Sequence, residues 1–228
     1  MPDIMIKTEN VQKEYKLRGQ IIRALIDINV EIYSGEFVVI QGSTGCGKTT
    51  LLNVLSGLDV PDDGKVFLDG ENISRASEAR LSSIRSQKVG FVFQDFNLIE
   101  NLTAIENVEA LLWPTPLHKK EIEKRCIAAL RDVNMLERKD HVPNELSGGE
   151  KQRIAVARAI VHQPRVLFAD EPTGNLDPKS GEELLNLFVK LNKDYKTTII
   201  VVTHDENIAN KFGKKRILMS GGKISSIN

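Results

Sequence analysis

The 228-residue sequence predicts an α/β domain, and three observations lead to that class. A short apolar strand at 37–40 runs directly into a glycine-rich loop and then into a helix. Several further apolar strands follow, each ending in a turn or a polar residue. Residues 95–146 have helical periodicity and interrupt the series of strands. The length is sufficient for one well-buried domain carrying a subdomain.

Composition and charge exclude several classes of protein. The 31 basic residues balance 31 acidic ones, so no excess of positive charge indicates a nucleic-acid partner. No apolar stretch approaches the roughly 18 residues that cross a bilayer, and residues 1–5 lack the features of a signal peptide. Cys46 and Cys126 show no paired ligand spacing, which argues against a metal or redox role. We expect a cytosolic protein that acts on membranes only through a partner.

The glycine-rich loop fits the phosphate-binding pattern G-x-x-x-x-G-K-[ST]. Its residues are Gly42, Ser43, Thr44, Gly45, Cys46, Gly47, Lys48 and Thr49, with Thr50 next. We expect Lys48 to contact the β- and γ-phosphates of a nucleotide and the Thr49 hydroxyl to bind Mg²⁺. The helix that follows should bury one apolar face and end at Gly57; the face consists of Leu51, Leu52, Leu55 and Leu58.

Residues 4–40 are predicted to be mostly strands, and 28–32 alternate apolar with polar residues, as a half-buried strand does. Within this region Tyr15 has charged neighbours. Its ring is suited to stacking on a purine and equally to a half-buried place in a strand, so both interpretations stay open.

Polar side chains follow three later predicted strands: Gln94, Asp170 and His204. Ligands in open α/β sheets lie outside the carboxyl ends of the strands, which makes these positions candidates for a site. We predict that Asp170 binds Mg²⁺ and that the adjacent Glu171 polarises an attacking water as a general base. Judged alone, Gln94 and His204 are more often capping residues than ligands of Mg²⁺ or of a γ-phosphate.

A second anion-binding helix start is predicted at Ser147, Gly148 and Gly149, which precede an alanine-rich helix. Either the chain binds two anions, or this start serves a nucleotide held mainly by another copy. In the helical region before it, one apolar face is predicted, consisting of Ile122, Cys126, Leu130 and Val133. Trp113 and Phe96 belong either to the core of that lobe or to a docking surface.

Together these motifs resemble the ATP-binding cassette subunits of transporters, over nearly the whole chain. The resemblance rests on residues 42–49, Gln94, 146–149, 168–171, 175–177 and His204, in the family's order. It implies a P-loop NTPase (RecA-like) α/β core with an N-terminal antiparallel β-subdomain and an inserted α-helical subdomain. Within a single domain of residues 1–228, the core would be 1–94 and 155–228, and the helical subdomain 95–154.

The resemblance also implies roles for single residues. ATP and Mg²⁺ would be bound between two copies arranged head to tail, with Ser147 of one copy covering the γ-phosphate held by the other. Tyr15 would stack on adenine, and Asp177 would join the nucleotide site. Gln94 would bind the metal and form a movable link to a membrane partner, and His204 would sense the γ-phosphate. The catalytic set would be Lys48, Gln94, Glu171 and His204.

Within the family, residues 170–177 and 93–98 are similar to the lipoprotein-release and macrolide-export branch (LolD-like and MacB-like). An integral membrane transporter subunit would therefore dock near residues 94–115, holding the chain at the inner face of the cell membrane. Glu150 departs from the family's usual glutamine, and we expect its side chain to point away from the phosphate site.

Three other classes of nucleotide-binding protein share part of this pattern. A soluble cassette acting on DNA would have a long insertion between the two anion sites, and one acting on ribosomes would have a second cassette. A small GTPase would carry Asn-Lys-x-Asp, whereas residues 192–195 place the aspartate one position early. A mechanical ATPase of cell division or signalling, docked on a membrane protein, shares all these motifs and stays open as the alternative.

Overall fold

A computed structural model describes residues 3–17 and 19–228. Met1 and Pro2, part of the segment considered above for targeting, lie outside the described residues. The strands are β1 (Ile4–Leu17), β2 (Gln20–Tyr33), β3 (Phe37–Gly42), β4 (Asp63–Leu68), β5 (Glu71–Asn72), β6 (Val89–Val92), β7 (Val166–Asp170), β8 (Thr198–Thr203), β9 (Lys215–Ser220) and β10 (Lys223–Ile227). The helices are α1 (Lys48–Ser56), α2 (Glu78–Lys88), α3 (Ala104–Glu109), α4 (Lys119–Asp132), α5 (Gly148–Ile160), α6 (Pro178–Tyr195) and α7 (Glu206–Phe212).

The strands form two sheets. The first has the order β2-β1-β4-β5, with every neighbouring pair antiparallel. The second has the order β10-β9-β3-β8-β7-β6, in which all pairs are parallel except the edge pair β10 and β9. Helices α3 to α5 form the insertion between β6 and β7. The predicted α/β class, with an antiparallel N-terminal sheet and a helical insertion, is therefore confirmed.

The parallel sheet is buried on both faces. On one face, Val39, Leu167 and Val201 pack with the helical insertion and α6. On the other, Val38, Phe168 and Ile200 pack with α1 and the antiparallel sheet. Since alternate residues of a strand point to opposite faces, near-continuous apolar runs satisfy both cores at once. The central strands, and with them their carboxyl ends, are thereby held rigidly.

Most sequence predictions of elements are confirmed. Residues 28–32 lie in β2 with the predicted alternation of burial, and Gly57 ends α1 in the left-handed conformation with φ 71°. The predicted apolar face of the insertion is buried in α4 and the turn after it. The division at residues 95 and 154 remains a prediction; α5 runs unbroken across its second boundary.

Three features differ from the sequence predictions. Leu58 is exposed beyond the end of α1, because the left-handed Gly57 turns the chain away from the helix. Residues 95–103 form turns and irregular chain, so helix in this region begins only at Ala104. The tail to Asn228 is predicted from the sequence as short strands, whereas helix α7 follows Asp205 there; it has too few apolar residues for a periodic signal. Among the described residues, no helix is long and apolar enough to span a bilayer.

Candidate nucleotide site

The carboxyl ends of four adjacent parallel strands carry most of the predicted site. Gln41 of β3 pairs with Thr203 of β8, and Val202 of β8 pairs with Asp170 of β7. This register brings three predicted groups to one edge of the sheet: the glycine loop after β3, Asp170 and Glu171 after β7, and His204 after β8. Gln94 follows β6, the next strand. The sequence-predicted candidates thus converge because strand ends converge.

The glycine loop has a backbone that other residues would not adopt. Gly47, the N-cap of α1, has φ 105°, and a Cβ there would lie 2.3 Å from the carbonyl oxygen of Ala24. No side chain bonds the first amides of the helix at this cap. Lys48 is buried, and its Nζ donates to the carbonyls of Gly42 at 2.9 Å and Ser43 at 3.1 Å. The loop therefore combines the uncapped amides at the start of α1 with a lysine whose ammonium group is held against the loop backbone.

The C-terminal hairpin supports this loop, a contribution that sequence reasoning missed. The Gly222 amide donates to the Cys46 carbonyl at 3.0 Å, and the Ile26 amide donates to the Gly222 carbonyl at 2.8 Å. One glycine thus links the β9–β10 turn, the phosphate loop and β2. The glycine pair Gly221-Gly222 predicts a turn. Nothing in the sequence around it indicates hydrogen bonds to residues as distant as Cys46 and Ile26.

Thr49 and Asp170 form an oxygen pair suited to a divalent cation. The Thr49 hydroxyl donates to Asp170 Oδ1 at 3.2 Å. Burial raises the pKa of Asp170, an effect that the Thr49 hydrogen bond and nearby Lys48 partly oppose. A cation would remove that penalty by favouring the ionised carboxylate. Hydroxyl and carboxylate oxygens are ligands that Mg²⁺ accepts, so the residues present fit this ion.

Glu171 is held between a lysine and a histidine. Its Oε2 lies 3.0 Å from His204 Nδ1, and its Oε1 lies 3.8 Å from Lys48 Nζ. Its backbone has φ 44°, an unfavourable region for a residue with a Cβ, and its amide donates to the Val202 carbonyl. Backbone strain of this kind is found at functional sites when the surrounding structure enforces it. The carboxylate is thus positioned by the end of β8 and by Lys48 of the phosphate loop, and it can accept a proton.

Gln94 is linked to the loop that follows Glu171. Asn175 Nδ2 donates to the Gln94 carbonyl at 3.1 Å and to Asp95 Oδ1 at 2.9 Å. Gly174 leaves room for the Gln94 side chain, since a Cβ there would lie 2.8 Å from Gln94 Nε2. The segment after β6 is therefore hydrogen-bonded to the segment after β7.

A buried glutamine and a half-buried arginine, both missed by sequence reasoning, link α5 to these segments. Gln152 is fully buried, and its Nε2 donates to the carbonyls of Phe93 at 3.1 Å and Pro172 at 2.8 Å. Arg158 donates to the carbonyl of Phe96 at 2.8 Å, and burial lowers its pKa. Both residues read in sequence as the polar face of a helix, because their partners come from distant segments.

Tyr15 lies in β1 beside the end of α1. Its hydroxyl donates to Asp59 Oδ2 at 2.7 Å, and Lys13 Nζ lies 5.3 Å from the centre of its ring. The side chain is 38% exposed. Burial and the bond to Asp59 raise its pKa. The ring is available at the surface, and its stacking on adenine remains a prediction.

Ser147 begins α5 with a capping box. Its hydroxyl accepts from the Glu150 amide at 3.3 Å, and Glu150 Oε2 accepts from both the amide and the hydroxyl of Ser147 at 2.9 Å. The expectation that Glu150 points away is therefore wrong: its carboxylate folds back onto Ser147 because two orphan donors attract it. The nearest neighbours of Gly148 and Gly149 are Phe96, Asn175, Leu176 and Ser180.

Asp177 caps the next helix, α6. Its Oδ1 accepts from the amides of Lys179 and Ser180, each at 3.1 Å. Bonds from Ser180 hold the pKa of Asp177 below its ordinary value. The same carboxylate thus has a structural role, and its predicted contact with nucleotide remains a prediction.

Known proteins are similar in sequence to this chain over most of its length. Over 224 residues the chain is 45% identical to MJ0796, an uncharacterized ABC transporter ATP-binding protein of Methanocaldococcus jannaschii, with 96% of this chain and 95% of that protein covered. It is 40% identical to the lipoprotein-releasing system ATP-binding protein LolD 1 of Chlorobium chlorochromatii, covering 97% and 91%. It is 42% identical to the macrolide export ATP-binding/permease protein MacB of Rhodopirellula baltica, covering 91% of this chain and 31% of that protein.

A solved dimeric structure of MJ0796, in a post-hydrolysis state bound to ADP and Pi, superposes with a TM-score of 0.89, 42% identity and 98% coverage of both chains. The family model described as ABC transporter matches residues 25–174, which include the phosphate loop, Ser147, Asp170 and Glu171. The chain belongs to the ABC transporter family.

Proposed function

We propose that two copies of this chain bind two ATP molecules with Mg²⁺ between them. By hydrolysing the ATP, the pair would change the conformation of an integral membrane partner. The observation that carries the proposal is that one chain has two glycine-rich helix starts with different neighbours. One contains Lys48, whereas the atoms nearest to Gly148 and Gly149 at the other belong to Phe96, Asn175, Leu176 and Ser180. The dimeric relative bound to ADP and Pi supports a nucleotide shared by two copies.

The residues at the sheet edge supply the chemistry of hydrolysis. Lys48 offsets the charge of the β- and γ-phosphates. Thr49, Asp170 and Gln94 would hold Mg²⁺, which would neutralise further phosphate charge. Glu171 accepts the proton of the attacking water. His204 holds the Glu171 carboxylate through Nδ1 and is free to donate to the γ-phosphate with its other nitrogen when protonated there.

Hydrolysis then separates the two copies. Each γ-phosphate is bound from both sides, so its loss removes the anion that joins the Ser147 helix start to the opposite phosphate loop. Tyr15, beside the end of α1, stacks on adenine and orients the nucleotide. The Asn175 bonds to the segment after Gln94 transmit the change between the nucleotide and that segment.

The membrane partner docks in a groove next to this segment. A cavity of about 540 Å³ is lined mainly by apolar side chains; they include Leu58, Val89, Phe91, Phe93, Leu111 and Ala159. Arg158, which also lines it, donates to the carbonyls of Phe96 and Asn97. A cytoplasmic segment of the partner seated here would therefore lie against the Gln94 segment. The LolD and MacB relatives favour a lipoprotein-release or macrolide-export type of partner.

The catalytic assignment is tested with Glu171→Gln. We expect ATP affinity to be retained and steady-state turnover to fall by roughly 100-fold or more, since the amide cannot act as a base. Glu182→Gln, a change at an exposed glutamate paired with Lys211, is the control and should keep full turnover. Wild-type turnover in Glu171→Gln would overturn the role given to this carboxylate.

The docking assignment is tested by co-purification of the partner from membranes. Leu111 is 40% exposed and lines the groove, so Leu111→Asp should abolish co-purification while leaving ATP turnover of the isolated chain unchanged. Ile227, 45% exposed on the edge strand β10, supplies the control Ile227→Asp. Equal recovery of the partner by both variants would contradict the groove as the docking site and the peripheral membrane location that depends on it.

A further inference from the structure

We propose that Glu150 restrains Ser147 and thereby sets how readily two copies pair around nucleotide. The inference rests on the proposed function, since its object is the γ-phosphate held by the second copy. In the unpaired chain the Ser147 hydroxyl donates its hydrogen bond to the Glu150 carboxylate. Pairing requires the hydroxyl to break this bond and to donate to the phosphate instead.

The hydrogen-bond geometry fixes the direction of this restraint. The Ser147 hydroxyl and Glu150 Oε2 are 2.9 Å apart, and an ionised carboxylate can only accept. A serine hydroxyl has one proton, so it cannot donate to Glu150 and to a phosphate at the same time. The bond is charge-assisted and therefore roughly twice as strong as a neutral one, which makes the exchange costly.

The carboxylate stays ionised in its surroundings. The amide and the hydroxyl of Ser147 hold the pKa of Glu150 below its ordinary range, and Arg138 and His141 act in the same direction. Arg138 Nε lies 3.5 Å from Glu150 Oε1. About a third of the Glu150 side chain remains exposed to solvent. A negative charge is thus fixed at the point where a triphosphate would approach, so repulsion adds to the occupied hydroxyl.

Arg138 provides the means of release. It forms an ion pair with Glu150 Oε1, the oxygen that Ser147 does not use, and its Nη1 lies 3.2 Å from His141 Nε2. When the Ser147 hydroxyl rotates to donate to the phosphate, the Glu150 carboxylate keeps its hydrogen bond from the Ser147 amide and its ion pair with the Arg138 guanidinium. One hydrogen bond is broken and one is formed, with Arg138 offsetting part of the repulsion between the two anions.

A second capping box separates this role from helix capping. At the start of α3, Glu106 Oε2 accepts from the amide of Thr103 at 2.8 Å and from its hydroxyl at 2.7 Å. The Glu106 amide donates to Thr103 Oγ1 at 3.4 Å. The local geometry matches that of α5, but neither Thr103 nor Glu106, nor any other residue of α3, is a predicted nucleotide residue. Glu106→Gln therefore reproduces the capping change alone.

The test compares nucleotide-dependent pairing in the Glu171→Gln background by sedimentation velocity with ATP and Mg²⁺. Adding Glu150→Gln should tighten pairing by about tenfold or more, because two charges are removed per pair of copies. Adding Glu106→Gln should leave pairing unchanged. Nucleotide affinity of the unpaired chain, measured at concentrations too low for pairing, should be the same for all three proteins.

A double-mutant cycle tests the part assigned to Arg138. Arg138→Gln should weaken pairing several-fold when Glu150 is present and much less in the Glu150→Gln background. Unchanged or weaker pairing in Glu150→Gln, an equal gain in Glu106→Gln, or an Arg138 effect independent of Glu150 would overturn the proposal. If Glu171→Gln alone does not pair with ATP, the proposed function fails instead, so the two failures are distinguishable.

Discussion

Helices α1 and α5 both begin at glycine-rich turns, and they begin differently. At α1 the N-cap is the left-handed Gly47, no side chain bonds the first amides, and the first turn has no acidic residue. At α5 the N-cap is Ser147, and Glu150 closes a capping box over it. Within residues 3–17 and 19–228, no side chain accepts from the first amides of α1, whereas at α5 the amides of Ser147 and Glu150 are satisfied internally.

This difference assigns separate tasks to the two starts. An anion at α1 gains amides and a lysine without breaking an existing side-chain cap, so this start should set the affinity of one copy for nucleotide. An anion at α5 must displace the Ser147 hydroxyl from Glu150, so this start should respond only when a phosphate is delivered by a second copy. The predictions below separate the two tasks, from the largest expected effect to the smallest.

The largest effect is expected at Lys48. Lys48→Ala removes the buried ammonium beside the loop and should weaken ATP binding by roughly 100-fold, the range for a lost charge-assisted hydrogen bond. Titration calorimetry with ATP measures it. Lys65→Ala, at a lysine whose side chain is 60% exposed, is the control. Unchanged affinity in Lys48→Ala would refute the task given to α1.

The same glycine-to-alanine change should lower stability much more at the start of α1 than at the start of α5. Gly47→Ala forces a Cβ into a left-handed position against the Ala24 carbonyl and should lower the free energy of unfolding by about 2 kcal/mol. Gly148→Ala meets nothing closer than 3.7 Å. That change should stay within about 1 kcal/mol, since alanine favours helix. Equal losses in urea denaturation would contradict the structural contrast.

The link between α5 and the catalytic segments is tested at Gln152. Gln152→Leu leaves the carbonyls of Phe93 and Pro172 without their buried donor and should cost about 2 kcal/mol of unfolding free energy. Gln87→Leu, where the exposed amide bonds only Ser83, is the matched control and should change stability little. A Gln152→Leu protein as stable as the control would show that α5 is not fixed by this side chain.

The smallest effect concerns pH. The folded state lowers the pKa of Glu150, so its contribution to stability is present above the unfolded value of about 4.3 and is lost as pH falls through the lower, folded value. The unfolding free energy of wild type should exceed that of Glu150→Gln by no more than about 1 kcal/mol at neutral pH. The gap should close below about pH 4. A gap that widens on acidification would contradict this sign.

The sequence predicted those parts of the site that depend on local patterns. Strand β3, the loop and α1 are consecutive in the chain, and apolar runs place Asp170 and His204 at strand ends. The sequence did not predict the Gln152 bonds or the Gly222 contact with Cys46, because each joins segments far apart in the chain. The direction of Glu150 differs from the prediction for a local reason: Ser147 and Glu150 have the spacing of a capping box, which draws the carboxylate back onto the helix start.

The most direct test of the central claim compares Glu171→Gln with Glu171→Gln/Ser147→Arg in sedimentation velocity, each with and without ATP and Mg²⁺. If Ser147 of one copy meets the nucleotide of the other, Glu171→Gln should move from 25.5 kDa to twice that mass on adding ATP. The double variant should bind ATP equally well and stay at the mass of one chain. A single-chain mass for both proteins, or equal pairing of both, would contradict the claim.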